Sequence, residues 1–383
     1  MSTFVAELTK QLHIMYEHQG FQEAVYLIFY GGMTMLAIVA CLYLFFRRAN
    51  AVVSDVQSSL ELRRWAGAFM ASVAASHVWW LLLGKLWLED DRLLRNVICE
   101  VLDYMTFVPL MMAVFVRMLQ DRRRSVWPLF AAVAPVAVIG LWGMATRNPM
   151  TEWAMVGWLA VVAIVYIIYM VRAVRQYGRW LSNNYADLEN KEVRQSLLLL
   201  AFVTIVYVAY CMNSGGLVLE YMAQVNTLFI IIFVVWRVEA LQRLEIPDTH
   251  VETVQDNTAT VTGPSNISEL LTQHCEATGL YLQHDLTLAQ LATAIGTNRT
   301  YLGIYFSQQG ISYNAYINRL RIDHFMELYR KTVDSPKTPT ATNLAQQSGF
   351  RSYSTFATNF KTIMGISVAD WMKTEGSNNS FPS

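Results

Sequence analysis

Six ionisable or amide side chains lie within long apolar runs of the first 240 residues. Such a group is costly at membrane depth unless it is paired or faces a cavity, so it marks either a functional site or a contact between helices. Glu100 and Asp103 are three residues apart and therefore share one helix face. The six residues are His77, Glu100, Asp103, Asn213, Glu220 and Asn226.

These side chains support two interpretations. One is a cleft that senses a ligand from the outer side of the membrane and is lined also by Trp79, Trp80 and Tyr104. The other is hydrogen bonding between helices near a wet interface, where Glu220 in particular simply faces water. The sequence has no H-x-x-x-H, G-x-S-x-G or C-x-x-C motif. We therefore expect no enzymatic activity, no cofactor and no metal site.

The C-terminal part contains a segment, DLTLAQLATAIGTNRTYLGIYFSQQG, that meets the requirements of a helix-turn-helix. Thr287 and Gln290 form a capping box at the first helix, and Gly296 ends that helix. Asn298 caps the second helix, whose opposite face is left free to enter a DNA groove. The inner face of the second helix carries two apolar residues one turn apart, Leu302 and Phe306.

The same plan returns in TATNLAQQSGFRSYSTFATNFKTIMG. Gly349 ends the first helix, Ser352 caps the second, and Phe356 and Phe360 repeat the apolar pair 54 residues further along. The sequence between the units predicts a joining helix of about 18 residues, or roughly 27 Å. That length suits two recognition helices in successive major grooves, which are about 34 Å apart.

This duplicated unit resembles the AraC/XylS family of transcription regulators over about residues 268–373. The resemblance rests on Gly296, Leu302, Phe306 and Gly310, then YINRLRI, then Gly349-Phe350, Phe356, Phe360-Lys361 and Gly365. It implies that one chain inserts two recognition helices into the major groove of double-stranded DNA. The layout of the whole chain also resembles a membrane-anchored subgroup of these regulators.

The resemblance assigns the DNA contacts by position. The residues expected to face the bases are Thr300, Gly303 and Ile304 in the first unit and Tyr353, Ser354 and Thr358 in the second. Phosphate contacts position a domain without reading sequence, and here they are expected from Arg299, Arg351, Ser352 and Lys361.

Two features depart from the family pattern. Gly303 and Ile304 stand where related proteins often have Arg or Gln, so the first unit offers mainly apolar contact to thymine methyl groups. Residues 266–373 carry nine Lys and Arg against seven Asp and Glu, which predicts weak nonspecific attraction to DNA. We therefore expect a homodimer, or concentration at the membrane, to support promoter occupancy.

Seven apolar stretches in the first 240 residues are long enough to cross a bilayer, which takes about 20 residues. They are 23–46, 66–88, 96–116, 126–146, 152–171, 196–213 and 217–236. The last contains no lysine, which sets aside a retinal protein. The expected fold class is all-α, with a polytopic seven-helix transmembrane bundle and a cytoplasmic all-α double helix-turn-helix domain.

The distribution of Lys and Arg predicts the orientation, since positive residues are retained on the cytoplasmic side. One set of connections carries fifteen of them and the opposite set carries five. This places the N-terminus outside and the C-terminal domain in the cytoplasm of a bacterial inner membrane. An odd number of crossings agrees with that result.

Composition changes sharply near residue 240, from apolar runs to polar sequence. We expect a seven-helix transmembrane sensor domain at 1–240, a flexible linker at 241–265, an AraC-type DNA-binding domain at 266–375 and a disordered tail at 376–383. Val238, Leu241 and Leu244 recur at helical spacing where the two parts meet. They either pair two protomers beneath the membrane or form a simple overhang of the last span.

The leading hypothesis is a membrane-bound, sequence-specific transcription regulator that couples a signal at the membrane to promoter occupancy. Its expected partners are double-stranded DNA, the lipid bilayer, RNA polymerase, a small-molecule or lipid ligand of unknown identity, and a second copy of the chain. Two alternatives stay open. One is a transporter or intramembrane enzyme with a DNA-binding tail, and the other is a regulator that the membrane only anchors.

Overall fold

The computed structural model describes the backbone of residues 2–51, 53–54, 56–83, 87–88, 90–194, 198, 217–244, 267–332 and 340–379. These residues form helices and no strand, with one isolated antiparallel bridge between Tyr185 and Thr287. The all-α fold class is thus confirmed for the described part of the chain. The chain divides into two compact units, Met1–Val174 with Val193–Pro247 and Arg175–Glu192 with Asp248–Ser383.

The first unit is built from long apolar helices. In chain order they are α1 (Ser2–Phe46), α2 (Leu60–Leu82), α3 (Arg92–Met118), α4 (Trp127–Val133), α5 (Pro135–Thr146), α6 (Met150–Asn184) and α7 (Leu217–Ala240). Six stretches of the described residues are long and apolar enough to cross a membrane, α4 and α5 counting together as one. The predicted crossing at 196–213 lies outside the described residues except for Leu198.

Several of these helices expose apolar faces. On α6, Ile164 and Val165 are 59% and 62% exposed, and on α5, Leu141 is 64% exposed. Contiguous apolar surface of this kind is rare on a water-soluble protein. A helix satisfies its own backbone hydrogen bonds, so such faces suit the hydrocarbon core of a bilayer.

Helices α1, α2, α3 and α7 pack side by side. A Cβ atom added at Gly67 on α2 would lie 2.9 Å from the ring of Phe45 on α1, so the glycine lets these two helices approach closely. Pro135 begins α5 directly after α4 ends at Val133. Proline lacks an N–H donor, and the predicted crossing at 126–146 is therefore interrupted there.

The end of α7 is buried within the first unit. Val238 and Leu241 are fully buried, and Leu244 is 5% exposed. The suggestion that these three residues pair two protomers is therefore wrong, because the chain's own side chains already cover them. Glu239 is also fully buried and accepts hydrogen bonds from the Ala51 N–H and the Tyr43 hydroxyl.

The first residues of the predicted linker are also held in place. The Gln120 side chain donates to the Gln242 carbonyl at 3.0 Å and accepts from the Leu244 N–H at 2.9 Å. The Arg243 N–H donates to the Gln57 carbonyl at 2.7 Å. A tether can therefore begin only after Leu244, and residues 245–266 lie outside the described part.

The second unit is a set of shorter helices. They are α8 (Ile267–Leu271), α9 (Leu288–Ala294), α10 (Arg299–Gln308), α11 (Tyr313–Thr332), α12 (Ala341–Gln347), α13 (Tyr353–Met364) and α14 (Val368–Asn379). A π-helical turn, Thr272–Glu276, and a 3₁₀ turn, Leu280–Leu282, follow α8. Helix α14 continues four residues into the segment 376–383 that the sequence assigns to a disordered tail, because no proline stops it before Pro382.

The second unit has two hydrophobic cores, one for each helix-turn-helix. The first contains Leu302 and Phe306 of α10, and the second contains Phe356 and Phe360 of α13. Helix α11 supplies Ile317 and other residues to the first core and Ile322 and Phe325 to the second. This shared helix fixes the distance between the two helix-turn-helix motifs, and its 20 residues span about 30 Å.

Candidate nucleic-acid interface

The first helix-turn-helix consists of α9 and α10. Thr287 and Gln290 form the predicted capping box, and the Asn298 side chain accepts from the Tyr301 N–H at 2.8 Å. With Leu302 and Phe306 facing the core, the opposite face of α10 is left outward. The outward residues are Thr300, Ile304 and Ser307, which are exposed, and Gly303, which is half-buried.

The second helix-turn-helix consists of α12 and α13 and repeats this geometry. The Ser352 hydroxyl accepts from the Thr355 N–H at 3.2 Å, so Ser352 is the N-cap of α13. Phe356 and Phe360 are fully buried. The outward residues are Tyr353, Ser354 and Thr358, all exposed.

A glycine makes the second turn possible. Gly349 has a φ of +88°, in the left-handed region that glycine adopts without strain. A Cβ atom there would lie 2.8 Å from the Leu282 carbonyl oxygen. The turn of the second helix-turn-helix thus contacts the 3₁₀ turn that precedes the first helix-turn-helix. The His284 Nδ1 lies 3.1 Å from the Gly349 carbonyl oxygen.

Arg321, in the YINRLRI motif, connects the two helix-turn-helix motifs, a role that the sequence did not assign to it. Its side chain is 1% exposed and donates to the carbonyls of Tyr281 at 2.8 Å, Gln283 at 2.7 Å and His284 at 3.2 Å. Its guanidinium carbon also lies 5.7 Å from the centroid of the Phe350 ring. Burial lowers the pKa of Arg321 to about 10, yet at neutral pH the side chain stays charged.

A second polar contact joins α11 to the second recognition helix. Asn318 is 2% exposed, and its amide donates to the Asn359 side-chain oxygen at 3.2 Å. Asn318 belongs to the YINRLRI motif, but nothing in the sequence indicates that Asn359 is its partner. A buried amide needs a hydrogen-bond partner, and only the fold shows which residue supplies it.

The predicted phosphate-binding residues lie along the two recognition helices. Arg299 begins α10, Arg351 and Ser352 come directly before α13, and Lys361 lies on its third turn. Lys361 is exposed and Arg351 is half-buried. The Arg299 Nε donates to the side-chain oxygen of Asn184 at 3.0 Å. Helix N-termini attract phosphate, so the N-terminal positions suit the predicted contacts.

In the first unit, two of the predicted polar residues form hydrogen bonds between helices. Asp103 accepts from the indole nitrogens of Trp79 at 3.1 Å and Trp80 at 2.7 Å. The His77 Nε2 lies 3.0 Å from the side-chain oxygen of Gln224 on α7, which the sequence did not single out. These bonds connect α2 to α3 and α2 to α7.

The other predicted polar residues differ in their surroundings. One carboxylate oxygen of Glu100 is buried and has no hydrogen-bond partner among the described residues. Glu220 is exposed, as the interpretation of a water-facing side chain expects, and Asn226 is half-buried. Asn213 lies outside the described residues. In the part of the chain that the structure describes, no group of His, Cys, Asp and Glu is arranged to hold a metal ion.

Comparison with known proteins identifies the C-terminal domain. Residues 291–374 match the family model described as "Helix-turn-helix domain". Neither the search of curated proteins nor that of solved structures gives a significant match to the chain. The matched residues include α10, α11, α12 and α13, which carry both recognition helices. The chain therefore contains an AraC-type helix-turn-helix domain, the DNA-binding domain of a transcription regulator.

Proposed function

We propose that this chain is a membrane-bound transcription regulator that reads a specific DNA sequence with two recognition helices and responds to a signal at the membrane. The observation that carries the proposal is the duplicated helix-turn-helix. Two outward helix faces, each backed by its own core, are joined by a single helix that belongs to both cores.

The reading residues are proposed from their exposure. The second helix-turn-helix offers hydroxyl groups that can hydrogen-bond to base edges in the major groove, from Tyr353, Ser354 and Thr358. In the first helix-turn-helix, Ile304 is 45% exposed although it is apolar, which suits contact with a thymine methyl group. Gly303 leaves room for close approach of the helix backbone.

The membrane part is proposed as the sensor. Glu100 and Asp103 share one face of α3, and Asp103 is bonded to two indoles of α2. Among the described residues, one buried carboxylate oxygen of Glu100 has no partner, which is costly in an apolar environment unless a ligand or proton satisfies it. We propose this face of α3 as the place where a cationic or hydrogen-bonding ligand acts.

Genome-wide DNA occupancy tests the regulator function. Cells with the intact protein are compared with cells carrying Tyr353→Ala and Thr358→Ala together. We expect discrete sites for the intact protein and their loss in the double variant, because loss of base contacts costs about 1–3 kcal/mol each.

Thr374→Ala is the matched control for this experiment. It removes an exposed threonine hydroxyl from α14, outside both recognition helices. Sites that persist in this control but not in the double variant would assign the reading residues. Absence of discrete sites for the intact protein would contradict the proposed function.

Two alternative functions, a passive anchor and a transporter, predict different experimental results. Regulation that survives replacement of residues 1–174 and 193–240 by unrelated spans would indicate a passive anchor. Substrate uptake that is lost in Glu100→Gln while DNA occupancy persists would indicate a transporter with a DNA-binding tail.

A further inference from the structure

The segment Arg175–Glu192, which we call the docking segment, is part of the DNA-binding unit. It comprises the last ten residues of α6 and the loop that follows, and it groups with Asp248–Ser383. The sequence assigns it to the membrane domain, 1–240, as a cytoplasmic connection between two predicted crossings. Its contacts within the second unit suggest a regulatory role.

The docking segment is anchored in the core of the first helix-turn-helix. Ala186 is 2% exposed and belongs to the same cluster as Leu302. Its N–H donates to the Leu286 carbonyl at 3.1 Å, and its own carbonyl accepts from the Asn314 side chain at 2.7 Å. Backbone pairing of this kind fixes the register of the segment on the domain.

Charged groups strengthen this attachment. The Lys191 side chain is 3% exposed and lies 3.6 Å from a carboxylate oxygen of Asp285. Burial lowers the pKa of Lys191, while the neighbouring carboxylates of Asp187 and Asp285 raise it. The Tyr177 hydroxyl donates to the Lys191 carbonyl at 3.0 Å. A lysine so deeply buried is tolerated only while these groups stay in place.

From this anchor, the docking segment contacts both recognition helices at their N-terminal ends. The Asn184 side-chain oxygen accepts from the Arg299 Nε at 3.0 Å, where α10 begins. A carboxylate oxygen of Glu189 accepts from the Thr355 hydroxyl at 3.1 Å, in the first turn of α13. These are the positions at which a DNA phosphate is expected to bind.

The docking segment also lies beside the outward face of α10. Asn183 and Asn184 line one cleft together with Thr300, Gly303 and Ile304. The last three are the residues proposed to read bases. DNA that reaches this face must therefore approach alongside Asn183 and Asn184.

We propose that the docking segment restrains DNA binding, because Asn184 and Glu189 engage Arg299 and Thr355 in place of the DNA backbone. The inference rests on the proposed DNA-binding function and adds its regulation. The docking segment continues directly from α6, a candidate membrane span, so it offers a route for the signal that does not pass through residues 245–266. Its anchor at Ala186 stays bound while the two polar contacts exchange for phosphate.

The test measures the affinity of the full chain, in lipid nanodiscs, for a random-sequence DNA duplex and compares the wild type with variants of the docking segment. Phosphate contacts supply nonspecific binding, so this probe reports the proposed competition without a known operator. We expect Asn184→Ala with Glu189→Ala to bind about tenfold more tightly, a change of about 1.4 kcal/mol, because two hydrogen bonds that compete with phosphate are removed. Unfolding would weaken binding, so a gain in affinity is not explained by a damaged fold.

The matched control is Gln176→Ala with Glu192→Ala. It removes one amide and one negative charge from exposed positions of the docking segment that do not line the cleft, and we expect its affinity to stay within about twofold of the wild type. An equal gain in this control would assign the effect to net charge and overturn the proposal.

Two variants separate competition from a purely structural role. Asn184→Asp places a carboxylate beside Arg299 and is expected to weaken DNA binding, the opposite direction from Asn184→Ala. In an Arg299→Ala background, Asn184→Ala is expected to change nothing. Unchanged or weaker affinity of the Asn184→Ala, Glu189→Ala variant would overturn the proposal.

The results that would contradict the role of the docking segment differ from those that would contradict the proposed DNA-binding function. A wild-type chain that binds random duplex but has no preferred sequence contradicts the proposed function, and the variant comparison still tests the docking segment. A wild-type chain that prefers a sequence, with no gain in the double variant, contradicts only the docking segment. No DNA binding by either protein at low salt would contradict both.

Discussion

At the scale of single residues, the DNA-binding unit depends on a buried cation, Arg321, which lies within the YINRLRI motif. Arg321 supplies hydrogen bonds to three carbonyls in residues 281–284, which also contact the turn at Gly349. Backbone carbonyls buried without a partner are expensive, so the turn and the arginine stabilise each other.

We therefore predict that Arg321→Ala destabilises the second unit by about 3 kcal/mol, because it leaves several buried carbonyls unpaired. Hydrogen exchange of the amides in α11 and α13, measured in the full chain, gives this free energy locally. The control is Arg319→Ala, which removes an exposed arginine from the same helix. Equal protection in the two variants would contradict the role assigned to Arg321.

Residues with local partners were predictable, and residues with distant partners were not. The caps at Thr287, Asn298 and Ser352 bond within three residues of themselves, so their spacing reveals them. Asn184 and Arg299 are 115 positions apart, and their contact depends on where the chain folds back. The polar composition of residues 175–192 predicts a cytoplasmic connection, but it does not indicate that they pack on the DNA-binding domain.

At the scale of helices, polar bonds connect α2 to its neighbours within the apolar bundle. His77 bonds to Gln224 of α7, and Asp103 of α3 accepts from two tryptophans of α2. The sequence located His77 and Asp103 because ionisable groups stand out in apolar runs. It missed Gln224, although it singled out the amide of Asn226 in the same run, because the apolar pattern does not show which side chain of α7 meets His77.

A double-mutant cycle measures the bond between α2 and α7. We predict a coupling free energy of about 0.6 kcal/mol between His77→Ala and Gln224→Ala, the size usual for hydrogen bonds between membrane helices. Thermal unfolding of the full chain in lipid nanodiscs provides the measurement. Glu220→Gln changes an exposed residue of α7 and serves as the control. Additive effects of the two alanine substitutions would contradict the bond.

The helix periodicity predicted the recognition helices well, because each has one apolar pair and one polar face. The ends of the membrane helices were predicted less accurately. Helix α6 continues to Asn184, beyond the predicted crossing at 152–171, since its later part packs on the second unit instead of stopping at the membrane surface. Helix ends are set by such tertiary contacts, which hydropathy does not contain.

At the scale of the whole molecule, a helix-turn-helix domain is joined to a part of the chain that carries candidate membrane crossings. Six candidate crossings lie among the described residues, and a seventh is predicted at 196–213. The number of crossings matters because each one moves the chain to the other side. With the N-terminus outside, seven crossings put the DNA-binding domain in the cytoplasm.

The docking segment gives this whole-molecule account a physical connection. It is covalently continuous with a candidate crossing and shares a core with the first helix-turn-helix. A change at the membrane end of α6 can therefore alter contacts at Arg299 and Thr355. The affinity comparison described above tests that connection without requiring the signal itself.

The most direct test of the central claim is the side of the membrane on which the DNA-binding domain lies. Reporter fusions after Glu192, after Gly215 and after Ser383 determine it, with one reporter active only in the cytoplasm and one active only in the periplasm. We predict cytoplasmic, periplasmic and cytoplasmic positions in that order, because the predicted crossing at 196–213 separates the first two and α7 the last two. A periplasmic position after Ser383 would contradict the account, since the domain would then have no chromosome to bind.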